Sequence, residues 1–121
     1  LKQAAGTVPP TFVQAAAAAA WATDAHVGPR NEAFAAKRAV LAEAFDLNGF
    51  EVVGSTAGLY LWVRVPDDLA VADRLLACGI VVTPGRAFGP GGEGHIRLAL
   101  VPTVADCKRA AEEIRACLTA S

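Results

Sequence analysis

The chain has 121 residues, 54% of them hydrophobic and 19% charged, with a formal net charge of −1. That length holds one domain with a real core, and the composition excludes a disordered chain. With Lys and Arg dispersed along a near-neutral chain, no field recruits nucleic acid or an anionic membrane, and the alanine-rich stretch Val13 to Ala22 is too short to span a bilayer.

Pro9-Pro10 stops any earlier helix. Thr11 is placed as an N-cap, with Gln14 three residues on in a capping-box pattern. The alanine run 15–20 then favours a helix from Phe12 to about Thr23. Gly28-Pro29 breaks the pattern, and a second helix is expected from Arg30 to Leu47. Phe34, Leu41 and Phe45 form its apolar stripe, while Glu32, Lys37, Arg38 and Glu43 fall largely on a solvated side. Asn48-Gly49 ends it.

Phe50 to Val53 reads as a short strand, and Leu59 to Val65 as the clearest one. Alternation sends Leu59, Leu61, Val63 and Val65 to one face and Tyr60, Trp62 and Arg64 to the other. Apolar residues on both faces imply a sheet covered from two sides, or from one side with a partner domain on the other. Pro66-Asp67-Asp68 opens a third helix with acids at the positive end of its dipole. Its expected stripe is Leu69, Ala72, Leu75 and Leu76, and Gly79 ends it.

Ile80 to Thr83 reads as a strand, followed by a Gly/Pro loop and a last strand, HIRLAL. Thr103, with Asp106 three residues on, caps a final helix whose stripe is Val104, Cys107, Ala111, Ile114 and Leu118. The order α-α-β-β-α-β-β-α predicts an α/β domain of the two-layer α+β kind. It has a small mixed or antiparallel sheet with helices packed on one face, preceded by two long helices. The three cysteines, Cys78, Cys107 and Cys117, form no CxxC pair. They read as core thiols in a reducing cytoplasm, without a metal site.

The chemistry concentrates between Gly79 and Leu100. In the last strand, Ile96, Leu98 and Leu100 point to a core, while His95, Arg97 and Ala99 point the other way. An arginine beside a small alanine, among apolar neighbours, either pairs with an internal carboxylate such as Glu93 or waits for one on a ligand. A planar fork of donors suits a carboxylate better than the point charge of lysine. Gly85, Gly89, Gly91, Gly92 and Gly94 match no phosphate-binding spacing, and read instead as a flexible flap with Phe88 at a cleft edge.

The pattern G-I-V-V-x-P-G-x-x-F-G, then H-I-R-L-A-L, resembles the C-terminal end of pyridoxal-phosphate aminotransferases of fold type I, classes I and II. Its flavour is most like the actinobacterial N-succinyldiaminopimelate aminotransferases. The resemblance implies that Arg97 binds a substrate carboxylate and that G-L-Y-L-W borders the cleft. Tyr60, Phe88, Gly89 and His95 are then possible cleft lining, with no proton-transfer role for His95. Tyr60 and Trp62 are equally suited to packing against another domain.

It also implies a cytoplasmic homodimeric parent acting on amino acids and keto acids. Lys2, Lys37 and Lys108 lack the context of a Schiff-base lysine, so no catalytic or cofactor residue is expected here. Pyridoxal phosphate belongs to the parent, with none expected on this chain. A start at Leu1 without any methionine suggests a fragment of the C-terminal side, 1–121, lacking the large domain that partners it. The rival expectation is a free-standing, non-enzymatic amino-acid-binding or regulatory module.

Overall fold

A proline, rather than the threonine after it, stands at the start of the first helix. The computed structural model describes Gly6 and residues 8–119, in two units, Leu1–Asn31 and Glu32–Ser121. In the first unit, α1 spans Thr11–Trp21 with Pro10 at its N-cap and no side-chain cap. The Pro10 carbonyl already accepts from Val13 and Gln14 backbone N–H groups, at 3.0 and 3.1 Å. Thr11 is therefore helical, and the expected capping box does not form; Gln14 Nε2 donates instead to the Pro9 carbonyl at 2.7 Å. No residue of α1 is buried.

Helix α2, Val27–Asp46, begins ahead of the expected Arg30, because Pro29 lies in its first turn, where no N–H partner is needed. It ends as anticipated. Gly49 adopts a φ of 77°, and the Phe50 N–H reaches the Phe45 carbonyl at 3.0 Å, a left-handed cap that glycine enters without strain.

The second unit is built on an antiparallel sheet in the order β1-β3-β2, with β1 Tyr60–Arg64, β2 Thr83–Pro84 and β3 His95–Ala99. The expected strand at 50–53 reduces to a single bridge, Val52 to Val63. Ser55 interrupts the ladder there: its hydroxyl accepts the Trp62 N–H at 3.0 Å. The expected strand at 80–83 contracts to β2. Helices α3, Asp68–Ala77, and α4, Val104–Thr119, complete the unit.

One hydrophobic cluster joins Leu41, Ala44 and Phe45 of α2, Leu75 of α3 and Cys107, Ala111, Ile114 and Leu118 of α4 to a single sheet face. That face presents Leu61 and Val63 of β1 with Ile96 and Leu98 of β3. The helices thus cover one side, in two layers. Leu69 and Leu76, expected in the α3 stripe, are exposed. The helix turns Asp68 inward in their place, for a reason that lies in the loop described below.

Capping of α4 follows the sequence. The Thr103 hydroxyl accepts the Asp106 N–H at 3.1 Å and donates to Asp106 Oδ2 at 2.6 Å. The hydroxyl bond holds the Asp106 carboxyl below the usual carboxylate range.

Two expectations fail for physical reasons. The supposed solvated side of α2 is partly consumed by structure. Lys37 is buried, its Nζ donating to the Leu100 carbonyl at 3.2 Å and lying 4.8 Å from the Phe34 ring centroid. Arg38 donates to the Gly58 carbonyl at 2.7 Å, and Glu43 pairs with Arg115 at 3.3 Å. Long basic side chains bury their stems and carry their heads to acceptors that an apolar residue would leave unsatisfied.

The cysteines are also not all thiols. Cys78, at the end of α3, and Cys117, in α4, form a disulfide with a Cα–Cα distance of 6.3 Å, within the range such a bond spans. Cys107 remains a buried thiol, and burial pushes its pKa up.

Candidate functional site

The sheet face away from the helices carries the chemistry. Register places Trp62, Arg97 and Thr83 in one row across β1, β3 and β2, with Tyr60 opposite Ala99 and Arg64 opposite His95. Because side chains alternate, the same register that buries Ile96 and Leu98 delivers Arg97 to this open face. It stands on the central strand, whose position is fixed from both sides.

Arg97 is half-buried. Its Cζ lies 4.3 Å from the Tyr60 ring centroid and 4.4 Å from that of Phe88. These cation–π contacts hold the guanidinium without using its N–H donors. Among the described residues Arg97 makes no ion pair and no hydrogen bond. The internal pairing with Glu93 that the sequence left open is not formed.

The rings also hold one another. Trp62 meets Phe88 edge-on at 5.6 Å and stacks on His95 at 5.4 Å. His95 Nδ1 lies 3.0 Å from the Glu93 carbonyl. Tyr60 and Phe88 are about half exposed. Tyr60, Trp62, Phe88 and His95 therefore gather around Arg97. Gly89 does not line the group with a side chain; it ends the turn that carries Phe88.

Of the stretch expected to form a flap, the turn that carries Phe88 is tied to its surroundings through Gly85, Arg86 and Gly92. Residues Gly85–Phe88 form a single 3-10 turn. Gly85 packs backbone to backbone on Gly92 and on the His95 carbonyl, so closely that a Cβ on Gly85 or Gly92 would collide with main-chain atoms. Arg86 then anchors the turn to α3. Its N–H donates to Asp68 Oδ2 at 3.0 Å, its Nε to Asp68 Oδ1 at 3.0 Å, and its Nη2 to Oδ1 at 2.6 Å.

Asp68 is fully buried, and the hydrogen bonds from Arg86 hold its carboxyl far below the usual carboxylate range. Asp67, beside it, caps α3 by accepting from Leu69 and Ala70. Sequence reasoning gave both acids the same dipole role. No local spacing signals a pair formed across 18 positions.

A lowered pKa in the fold means that stability is gained where the carboxylate is charged in both states. The contribution of Asp68 is complete above its unfolded-chain value of about 3.9 and fades as pH falls below it. In denaturant titrations from pH 7 to pH 3, the stability gap between wild type and Asp68→Asn is expected to narrow with acid. A gap that is constant across this range would contradict the pairing.

The sequence pattern of the family described as "Aminotransferase class I and II" matches residues 2–114. The chain belongs to this family. It is 42% identical over 104 residues to "Probable aminotransferase Rv1178" of Mycobacterium tuberculosis, a match covering 85% of this chain and 25% of that protein. It is 36% identical over 86 residues to an LL-diaminopimelate aminotransferase of Phocaeicola vulgatus, covering 68% of this chain and 21% of the relative. Among solved structures it resembles a probable N-succinyldiaminopimelate aminotransferase from Thermus thermophilus, with a TM-score of 0.61 and 38% identity over 70% of this chain and 24% of that one. The chain thus spans about a quarter of the length of the curated relatives it matches.

Class I and II aminotransferases generally use pyridoxal phosphate, held through a lysine. The described lysines of this chain do not fit that task. The Lys37 amine is directed to a main-chain carbonyl in the interior, and Lys108 is exposed on α4; Lys2 lies outside the described residues. No described helix is long and apolar enough to cross a membrane.

Proposed function

We propose that residues 1–121 are the small, C-terminal domain of a pyridoxal-phosphate-dependent aminotransferase and that Arg97 grips the substrate carboxylate. The observation that carries this reading is an arginine set between two aromatic rings, with no hydrogen bond or ion pair to any described residue. A half-buried guanidinium keeps part of its hydration and so has donors open to an acid that arrives from outside. A ligand carboxylate would satisfy it with two parallel hydrogen bonds. Tyr60, Phe88 and His95 would wall the position, with the Gly89 end of the turn beside them.

In this reading the cofactor and its lysine reside on the large domain of the same polypeptide. The present chain binds and orients the substrate, and closure of the domain over it excludes water. The parent acts as a cytoplasmic homodimer. N-succinyldiaminopimelate, in diaminopimelate and lysine synthesis, is the proposed substrate, supported by the resemblance to the Thermus thermophilus structure. Unsuccinylated LL-diaminopimelate is the competing substrate, supported by the Phocaeicola vulgatus relative.

Transamination by the full-length protein, supplied with pyridoxal phosphate and a keto-acid acceptor, decides between them. The expected result is turnover of the succinylated donor with the higher kcat/KM. Preference for the free diamino acid would move the assignment to the competitor. Turnover of neither would overturn the substrate class.

A further inference from the structure

The Asp68–Arg86 pair lies outside the group that would touch substrate, yet it is joined to that group by a short chain of contacts. Asp68 is the buried acid of α3, and three separate donors of Arg86 converge on its carboxylate. One of these is the backbone N–H, so the carboxylate fixes the main chain of the turn as well as the side chain. A second clamp, the close approach of Gly85 to Gly92, fixes the other side of the turn.

Phe88 is the last residue of this turn. Its ring lies 4.4 Å from Arg97 Cζ and meets Trp62 edge-on. The Arg86 side chain is partly open to solvent, whereas that of Asp68 is not. An ion pair with one member fully enclosed has a defined geometry that an exposed pair lacks.

We propose that Asp68 is a positioning residue: through Arg86 it sets the Gly85–Phe88 turn so that the Phe88 ring orients Arg97 toward an incoming carboxylate. The inference rests on the carboxylate role of Arg97. It adds that the orientation of Arg97 is imposed from α3 rather than by β3 alone. A guanidinium held in place loses less side-chain entropy on binding than a free one. Loosening the turn is therefore felt in the affinity for substrate.

The test is a double-mutant cycle in the full-length enzyme, reading KM and kcat separately, with Asp68→Asn, Phe88→Ala and the combination. If Asp68 acts through Phe88, each single change raises KM by about 5–30-fold, the range that coupling energies of roughly 1–2 kcal/mol correspond to. The double variant is then no worse than Phe88→Ala alone, and kcat of Asp68→Asn stays within about twofold of wild type.

Additive KM effects, or an Asp68→Asn enzyme with unaltered KM, would overturn the proposal. Should Asp68→Asn not accumulate as folded protein, Arg86→Lys serves in its place. It keeps the charge but loses the Nε and Nη2 fork, and the same non-additivity with Phe88→Ala is expected. Arg97→Gln, measured alongside, separates the two ideas. If that variant keeps wild-type KM, the carboxylate reading itself fails. If it loses affinity while the cycle is additive, only the positioning role fails.

Discussion

Replacing Arg97 by glutamine lowers kcat/KM of the full-length enzyme by about 10²–10⁴-fold, since two hydrogen bonds to a charged group contribute about 1.5–3 kcal/mol each and every 1.4 kcal/mol is tenfold. Glutamine is shorter, carries no charge and gives up the guanidinium contacts with the Tyr60 and Phe88 rings. The thermal midpoint is expected to fall only modestly, because Arg97 has no ion pair or hydrogen bond to lose among the described residues and its two part-exposed ring contacts contribute about 0.5–1 kcal/mol each. Arg97→Lys should recover only part of the activity, since an ammonium cannot present two parallel donors. Substrates carrying a carboxamide in place of the carboxylate provide the matching control. Wild type should discriminate strongly against them, and Arg97→Gln weakly. Equal discrimination by both enzymes would show that another group reads the carboxylate.

Reduction of the Cys78–Cys117 bond should produce the largest change in stability. The two residues are separated by 39 positions, and closing a loop of that size removes about 4 kcal/mol of unfolded-state entropy in the loop-closure model. The bond ties the end of α3 to α4, where Leu75, Ile114 and Leu118 meet in the core. Protein prepared without reductant should therefore show a lower thermal midpoint after dithiothreitol, and Cys78→Ser should reproduce that lower value and be insensitive to reductant. Thiol titration of the unfolded, unreduced chain is expected to find one free group, that of Cys107. Three titrating thiols and a midpoint indifferent to reductant would contradict the bond.

What the sequence reveals of this fold depends on whether the signal is local. The β3 alternation is a local signal, and Ile96, Leu98 and Leu100 are buried as it requires. The α4 stripe and the Thr103–Asp106 cap are local too. Gly79 ends α3 with a φ of 79°, as a glycine after an apolar stripe suggests. The Thr11 capping box fails on a local choice of cap, but the failures that shape the second unit involve partners distant in the chain. Lys37 reaches Leu100 across 63 positions, Asp68 reaches Arg86 across 18, and Cys78 reaches Cys117 across 39. Periodicity sorts polar from apolar faces but cannot say which polar residue has an acceptor waiting inside.

The candidate site divides the same way. Arg97 and its face follow from alternation in one strand, and the family resemblance supplies the role expected of it. The contacts of Tyr60 and Trp62 depend on the pairing of β1 with β3, a register that neither strand encodes alone. The pinned turn was the least legible part. A run of glycines suggests freedom of motion. Here two of them are required for the opposite reason, because the Gly85 and Gly92 main chains pass too close for any side chain.

The central claim is that Arg97 is held ready for a carboxylate that the chain itself does not supply. A crystal structure of the full-length enzyme with a bound carboxylate substrate analogue tests it most directly. Both terminal nitrogens of Arg97, or Nε with one of them, should lie about 2.7–2.9 Å from the two carboxylate oxygens, with Tyr60 and Phe88 still against the guanidinium. A bound analogue whose carboxylate is held by another residue, with Arg97 turned to an aspartate or glutamate of the protein, would contradict the account.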